Sequence, residues 1–270
     1  QMCIRDRGIG EKFLASDVLA LRAVTDRFIF LEEGDLVDLR PNSIDIWNID
    51  EASVIRADVR VEMEADDKER GNYRHFMQKE MFQQPEVVKR ALEGRVGKVS
   101  VLDGALGEGS QELLSRVESV TIVACGTSYL AGSVARYWIE ELAGLPCQVE
   151  IASEYRYRNP ATQKNSLFIT ISQSGETADT LAALRLAKER DFLATLTLCN
   201  VPTSAMVRES DFAMMLNAGT EVGVASTKAF VAQTTALLLL TLLLARQRGL
   251  KPGLEEEIIG QLHKLPDTIA

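Results

Sequence analysis

Apolar and polar positions change rhythm along this chain. From residue 8 to about 60, short β-branched and aromatic runs recur: FLASD, RFIFLEEGDLVDL, SIDIWNID and VIRADVRVEM. Such runs predict strands. Gly34 falls where RFIFL must turn into DLVDL, and Pro41-Asn42 breaks the next pair. The polar stretch EADDKERGN at 64–72 predicts an exposed linker. From Tyr73 the period becomes helical, with His75, Phe76, Lys79 and Phe82 three or four apart. VVKRALEG ends on Gly94, a helix stop, and SQELLSRV gives another helix.

From residue 119 strands and helices alternate. SVTIVAC, CQVEIAS, SLFITIS, ATLTLCN and FAMMLNA predict five strands. TSYLAGSVARYWIEELAG, ETADTLAALRLAKER and STKAFVAQTTALLLLTLLLARQRG predict helices. This alternation predicts an α/β domain, a flavodoxin-like parallel sheet with helices on both faces. The run of low polarity Ala236–Ala245, which includes Thr241, is short for a bilayer span and is followed by Arg246, Gln247 and Arg248. It predicts a buried or interface helix, not a membrane segment.

Composition narrows the classes. The chain has 270 residues, 46% hydrophobic and 26% charged, with a net charge of −9. This is ordinary globular usage. The acidity, with no long basic run, argues against nucleic acid as a partner. Four widely spaced cysteines and two histidines supply neither a zinc pattern nor a disulfide framework. A reducing, cytoplasmic setting fits, as does the lack of a secretory apolar segment. The opening QMCIRDR, residues 1–7, resembles a translated sequencing adapter and is set aside, so Cys3 carries no catalytic reading.

Three loops could cradle a phosphate. Cys125, Gly126, Thr127 and Ser128 follow VTIVA; Ser172, Gln173, Ser174, Gly175, Glu176 and Thr177 follow LFITI; Gly223, Val224, Ala225, Ser226, Thr227 and Lys228 precede the long helix. In an open parallel sheet, ligands gather at the carboxyl ends of strands. Gly175 allows close backbone approach, the helix start offers N–H groups, and the hydroxyls add neutral donors. For one loop, Ser174 acting as a helix cap explains as much. Three loops at equivalent positions favour a ligand. Cys125 reads as a packing residue, His75 as structural or interfacial, and His263 as exposed. Glu176 is explained by its place in a first helical turn. Lys228, with nothing visible to desolvate it, reads as solvated or structural.

Several motifs in order carry a resemblance: YRHFMQKE with Gln84-Pro85, CGTSY at 125–129, EIASEYRYR at 150–158, SQSGETADT at 172–180, CNVP at 199–202 and GTEVGVASTKAF at 219–230. Together they resemble the glutamine–fructose-6-phosphate aminotransferase family; SQSGET alone would indicate only a sugar-isomerase (SIS) domain. The resemblance implies a remnant of an N-terminal-nucleophile glutaminase domain at 8–65, a linker and connecting helix at 66–95, and the first SIS domain at 96–270. It implies sugar-phosphate contacts at Thr127, Ser128, Ser172, Gln173, Ser174 and Thr177, with Val224 and Ser226 near the sugar and Gly126 and Ala225 beside them.

It further implies no metal or organic cofactor, a fructose 6-phosphate or glucosamine 6-phosphate ligand, and a homodimer in the full-length protein. The family's glutaminase cysteine would lie upstream. Its Schiff-base lysine, enolisation glutamate and ring-opening histidine would lie downstream. No main catalytic group is therefore expected in this chain, which reads as an inactive internal fragment. A non-catalytic sugar-phosphate-sensing SIS domain is the alternative, and the strands at 8–60 argue against it.

Overall fold

The computed structural model describes residues 3–5, 11–15, 21, 24–32, 34–60, 70–251 and 253–270. Most of the polar stretch expected as a linker, 64–69, lies outside the described residues. The chain divides into two compact units, Gln1–Ala65 and Asp66–Ala270.

In the first unit β1 (Cys3–Arg5), β2 (Phe13–Ala15), β3 (Arg27–Phe30) and β6 (Asp58–Arg60) form an antiparallel sheet in the order β2-β1-β3-β6. β4 (Leu36–Leu39) and β5 (Ile44–Trp47) form a hairpin across Pro41-Asn42. The Gly34 turn is left-handed, at φ +86°, and Arg56 pins it by pairing with Asp35 at 2.7 Å and Glu32 at 3.0 Å. Cys3–Arg5 is a strand between β2 and β3. The VIRADVRVEM run contributes only the short β6 among its described residues.

The second unit holds five parallel strands: β7 (Ser119–Ala124), β8 (Cys147–Ile151), β9 (Ser166–Ser172), β10 (Ala194–Cys199) and β11 (Phe212–Met215). Their order, β11-β10-β9-β7-β8, is the flavodoxin-like one. β7 and β9 are buried at every residue, as expected of central parallel strands covered on both faces. Side chains alternate between two cores. Val120, Ile122 and Ala124 join a large cluster with Leu167, Ile169, Ile171 and the leucines of the long helix. Val123 and Phe168 face a smaller cluster with Ala183, Leu184 and Met206.

Helices α1 (Phe76–Phe82) and α2 (Gln84–Leu92) precede the sheet, and α3 (Ser110–Arg116) leads into β7. α4 (Gly126–Trp138) runs on into one π-helical turn, Ile139–Ala143. α5 (Ala152–Tyr155), α6 (Ala178–Lys188), α7 (Ala205–Glu209), α8 (Lys228–Gln247) and α9 (Leu254–Ile269) complete the unit. α2 is more than a connector. Its Val87, Val88, Ala91 and Leu92 are buried, and it packs on α8 and α9, so this amphipathic face completes the main core. α8 is long and apolar enough to cross a membrane, yet 78% of its most apolar window is buried within the fold.

Candidate functional site

The first two loops stand side by side. Ala124 at the end of β7 pairs with Ile171 near the end of β9. β7 leads to β8 on one side, while β9 lies on the other, so the strand order reverses between these loops. A crevice at such a reversal is where open α/β sheets receive ligands. The N-termini of α4 and α6 start there, directing their orphan N–H groups and positive dipole ends toward it.

In the first loop Gly126 takes φ +56°, a left-handed turn that lets the chain leave β7 and enter α4 at once. Thr127 is exposed, and Ser128 is buried with its Oγ accepting a hydrogen bond from Gln233 Nε2 at 3.0 Å. Cys125 caps α4 without a side-chain bond, and its Sγ accepts a weak bond from Thr180 Oγ1 at 3.9 Å. It is a packing residue in the second core.

The second loop is a web of hydroxyls. Ser172 Oγ accepts from Gly175 N at 3.0 Å and lies 3.0 Å from Thr177 Oγ1. Ser174 Oγ accepts from Glu176 N at 3.2 Å. Gln173 is half-buried, and its carbonyl accepts from Asn200 N at 3.2 Å. Gly175 at φ +69° has no room for a side chain: a Cβ would sit 2.1 Å from Ser204 Oγ and 2.6 Å from Cys199 Sγ. Thr177 caps α6 through its backbone carbonyl, which accepts from Leu181 N at 2.9 Å. Glu176 has a structural task, since its carboxylate accepts from Ala205 N at 2.7 Å and caps α7. Burial pushes the neighbouring Cys199 thiol up.

The third loop leaves Val224 and Ala225 exposed. Ser226 Oγ is buried, with no hydrogen-bond partner among the described residues. The helix that follows connects this loop to the first, because Gln233 on the second turn of α8 donates to Ser128. Of the two readings of Lys228, solvated or structural, the structural one fits: it is fully buried, with Nζ donating to Gln83 Oε1 at 2.9 Å. His75 is exposed at the N-cap of α1, and His263 is exposed with Nε2 3.1 Å from Gly97 O. Among the described residues no group of three His, Cys, Asp or Glu could hold a metal ion.

Three residues were missed by sequence reasoning: Glu80, Glu221 and Gln233. Glu80 sits beside Lys79 with nothing local to mark it as buried, and Glu221, half-buried, stands in the otherwise uncharged run GTEVGVAST with nothing local to mark its partners. Gln233 carried a signal, an amide on a helix whose positions one turn away, Ala229, Phe230, Ala236 and Leu237, are apolar, where a polar group needs a partner.

The chain is similar to known proteins along nearly all its length. Residues 113–243 match the SIS domain family. The glutamine–fructose-6-phosphate aminotransferase [isomerizing] of Pseudomonas syringae pv. tomato is 57% identical over 263 residues, 97% of this chain and 43% of that protein. Its counterpart in Escherichia coli K12 is 54% identical over 262 residues, with the same shares. The C-terminal domain of glucosamine-fructose-6-phosphate aminotransferase from Francisella tularensis superposes with a TM-score of 0.71 at 44% identity, over 73% of this chain and 55% of that one. The chain thus spans less than half the length of the curated relatives it matches. Over the stretch it spans, the chain is similar to the glutamine–fructose-6-phosphate aminotransferases, and its residues 113–243 match the SIS domain family.

Proposed function

We propose that this chain supplies the sugar-phosphate-holding part of an enzyme that makes glucosamine 6-phosphate from fructose 6-phosphate and glutamine. The observation that carries the reading is the pairing of two hydroxyl-bearing loops at the strand-order reversal, each opening a helix of the SIS domain.

A dianionic phosphate seated there meets neutral donors: the hydroxyls of Thr127, Ser128, Ser172, Ser174 and Thr177, the Gln173 amide, and free N–H groups of two helix starts. Backbone dipoles supply positive potential without a basic side chain, which suits an acidic chain. Ser128 is oriented for donation. It accepts from Gln233, so its own hydrogen is left to point elsewhere. Val224, Ala225 and Ser226 face the sugar end. Holding the phosphate anchors the reacting carbons through binding energy remote from them. In the parent reaction ammonia released from glutamine adds to the opened ketose, and the imine isomerises to the amino sugar.

Three further parts belong to the same reading. Residues 8–65 are the remnant of a glutaminase domain. The whole protein is a cytoplasmic homodimer, with the RHFMQKEM segment and the 229–245 helix near its interface. The ligand is fructose 6-phosphate or its product.

A thermal melt with glucosamine 6-phosphate, compared with glucosamine, tests the proposal. A midpoint raised only by the phosphorylated sugar supports it. Equal midpoints with both sugars count against it.

A further inference from the structure

The loop between β11 and α8 is held by carboxylates in place of backbone pairing. Glu80 on α1 is only 2% exposed. Its Oε1 accepts from Val222 N at 2.6 Å and Gly223 N at 2.9 Å, and its Oε2 from Thr227 Oγ1 at 3.0 Å. Glu221, within the loop, accepts from Thr227 N at 2.9 Å and Ala229 N at 3.0 Å. The backbone N–H groups of Val222, Gly223, Thr227 and Ala229 therefore all end on two carboxylates. Gly223 marks the closest approach, since a Cβ there would lie 2.5 Å from Glu80 Oε2. At the loop's entry Asn200 donates to Gly219 O at 2.7 Å and accepts from Ala218 N at 2.8 Å. Entry is thus tied to β10, and the middle to α1, more than a hundred residues earlier in sequence.

We propose that Glu80 is a positioning residue for the sugar end of the site. Its carboxylate sets the path of residues 222–227, and so where Val224, Ala225 and Ser226 stand. The inference rests on the reading of those three as sugar-facing. Val224 and Ala225 are exposed and lack packing of their own to fix them, so their place follows from the flanking anchors. Bonds from backbone N–H to a carboxylate are stronger than neutral ones, and removing the acceptor strands donors in a partly buried place. Among the described residues, the side-chain hydrogen bonds of Glu80 all go to this loop and none to the loops after β7 and β9. Its loss should therefore disturb the sugar end and spare the phosphate end.

Hydrogen exchange by mass spectrometry on the 270-residue chain tests this without any ligand. In Glu80→Ala, amides of 219–227 should exchange about tenfold faster or more, with 172–177 at the wild-type rate. Glu80→Gln should lie closer to wild type, because its amide oxygen still accepts from Val222 and Gly223. If Glu80→Ala does not fold, Glu80→Asp, one methylene shorter, carries the same expectation. Unchanged exchange in 219–227, or an equal rise in 172–177, overturns the proposal. Calorimetry adds a second readout. Glu80→Ala should weaken fructose 6-phosphate about tenfold and inorganic phosphate less than about twofold. Equal weakening of both overturns the positioning role. Failure of the wild-type chain to bind either ligand counts against the site reading, while the exchange result still decides the role of Glu80.

Discussion

The Gln233 amide on α8 donates to the Ser128 hydroxyl on the first turn of α4 at 3.0 Å, and both residues are buried. This bond fixes the polarity of Ser128. An oxygen that accepts from an amide keeps its own hydrogen for another acceptor, which in the proposed reading is the phosphate. Gln233→Leu should weaken sugar-phosphate binding about three- to tenfold by leaving Ser128 unoriented. Gln233→Glu should cost more, because a carboxylate takes the Ser128 hydrogen for itself and adds a negative charge beside an anion. Titration of both variants, with circular dichroism to establish folding, checks the order.

Gly175 carries two constraints together: φ of +69° and a direction blocked by Ser204 and Cys199. Gly175→Ala should destabilise the domain by roughly 3 kcal/mol, from left-handed strain together with overpacking. Urea unfolding measures it. Gly126→Ala, with left-handed φ but open space around it, should cost less, about 1–2 kcal/mol.

Cys147 makes stability depend on alkaline pH. Burial, with Glu140 adding to it, pushes this thiol from 9.0 up to about 12. The folded value lies above the unfolded one. Its contribution is therefore complete below pH 9 and is lost between about 9 and 12, as the unfolded thiol ionises and the folded one does not. Urea midpoints near pH 8 and near pH 10 should fall further in the wild type than in Cys147→Ala. The difference should approach about 1.4 kcal/mol per pH unit.

Much of this architecture was legible because periodicity and burial coincide in a parallel sheet. SVTIVA and SLFITIS read as strands since every residue is buried, and the alternation with helices implied the strand order found. The loops at 126–128 and 172–177 were legible because sheet topology puts strand ends together. What escaped was long-range. Glu80 meets Val222, and Gln83 meets Lys228, across more than a hundred residues, and no local pattern marks those partners. Whether Lys228 is solvated or structural stayed open for the same reason: its partner Gln83 lies between α1 and α2, which were read as a connection.

The central claim is that two adjacent loops of neutral donors hold a phosphate. Calorimetric titration of the chain with fructose 6-phosphate, beside fructose and beside Ser174→Ala, tests it most directly. The account predicts heat that requires the phosphate and is lost, or weakened about tenfold, in Ser174→Ala. Equal heats for fructose and fructose 6-phosphate, or undiminished binding in the variant, would contradict it.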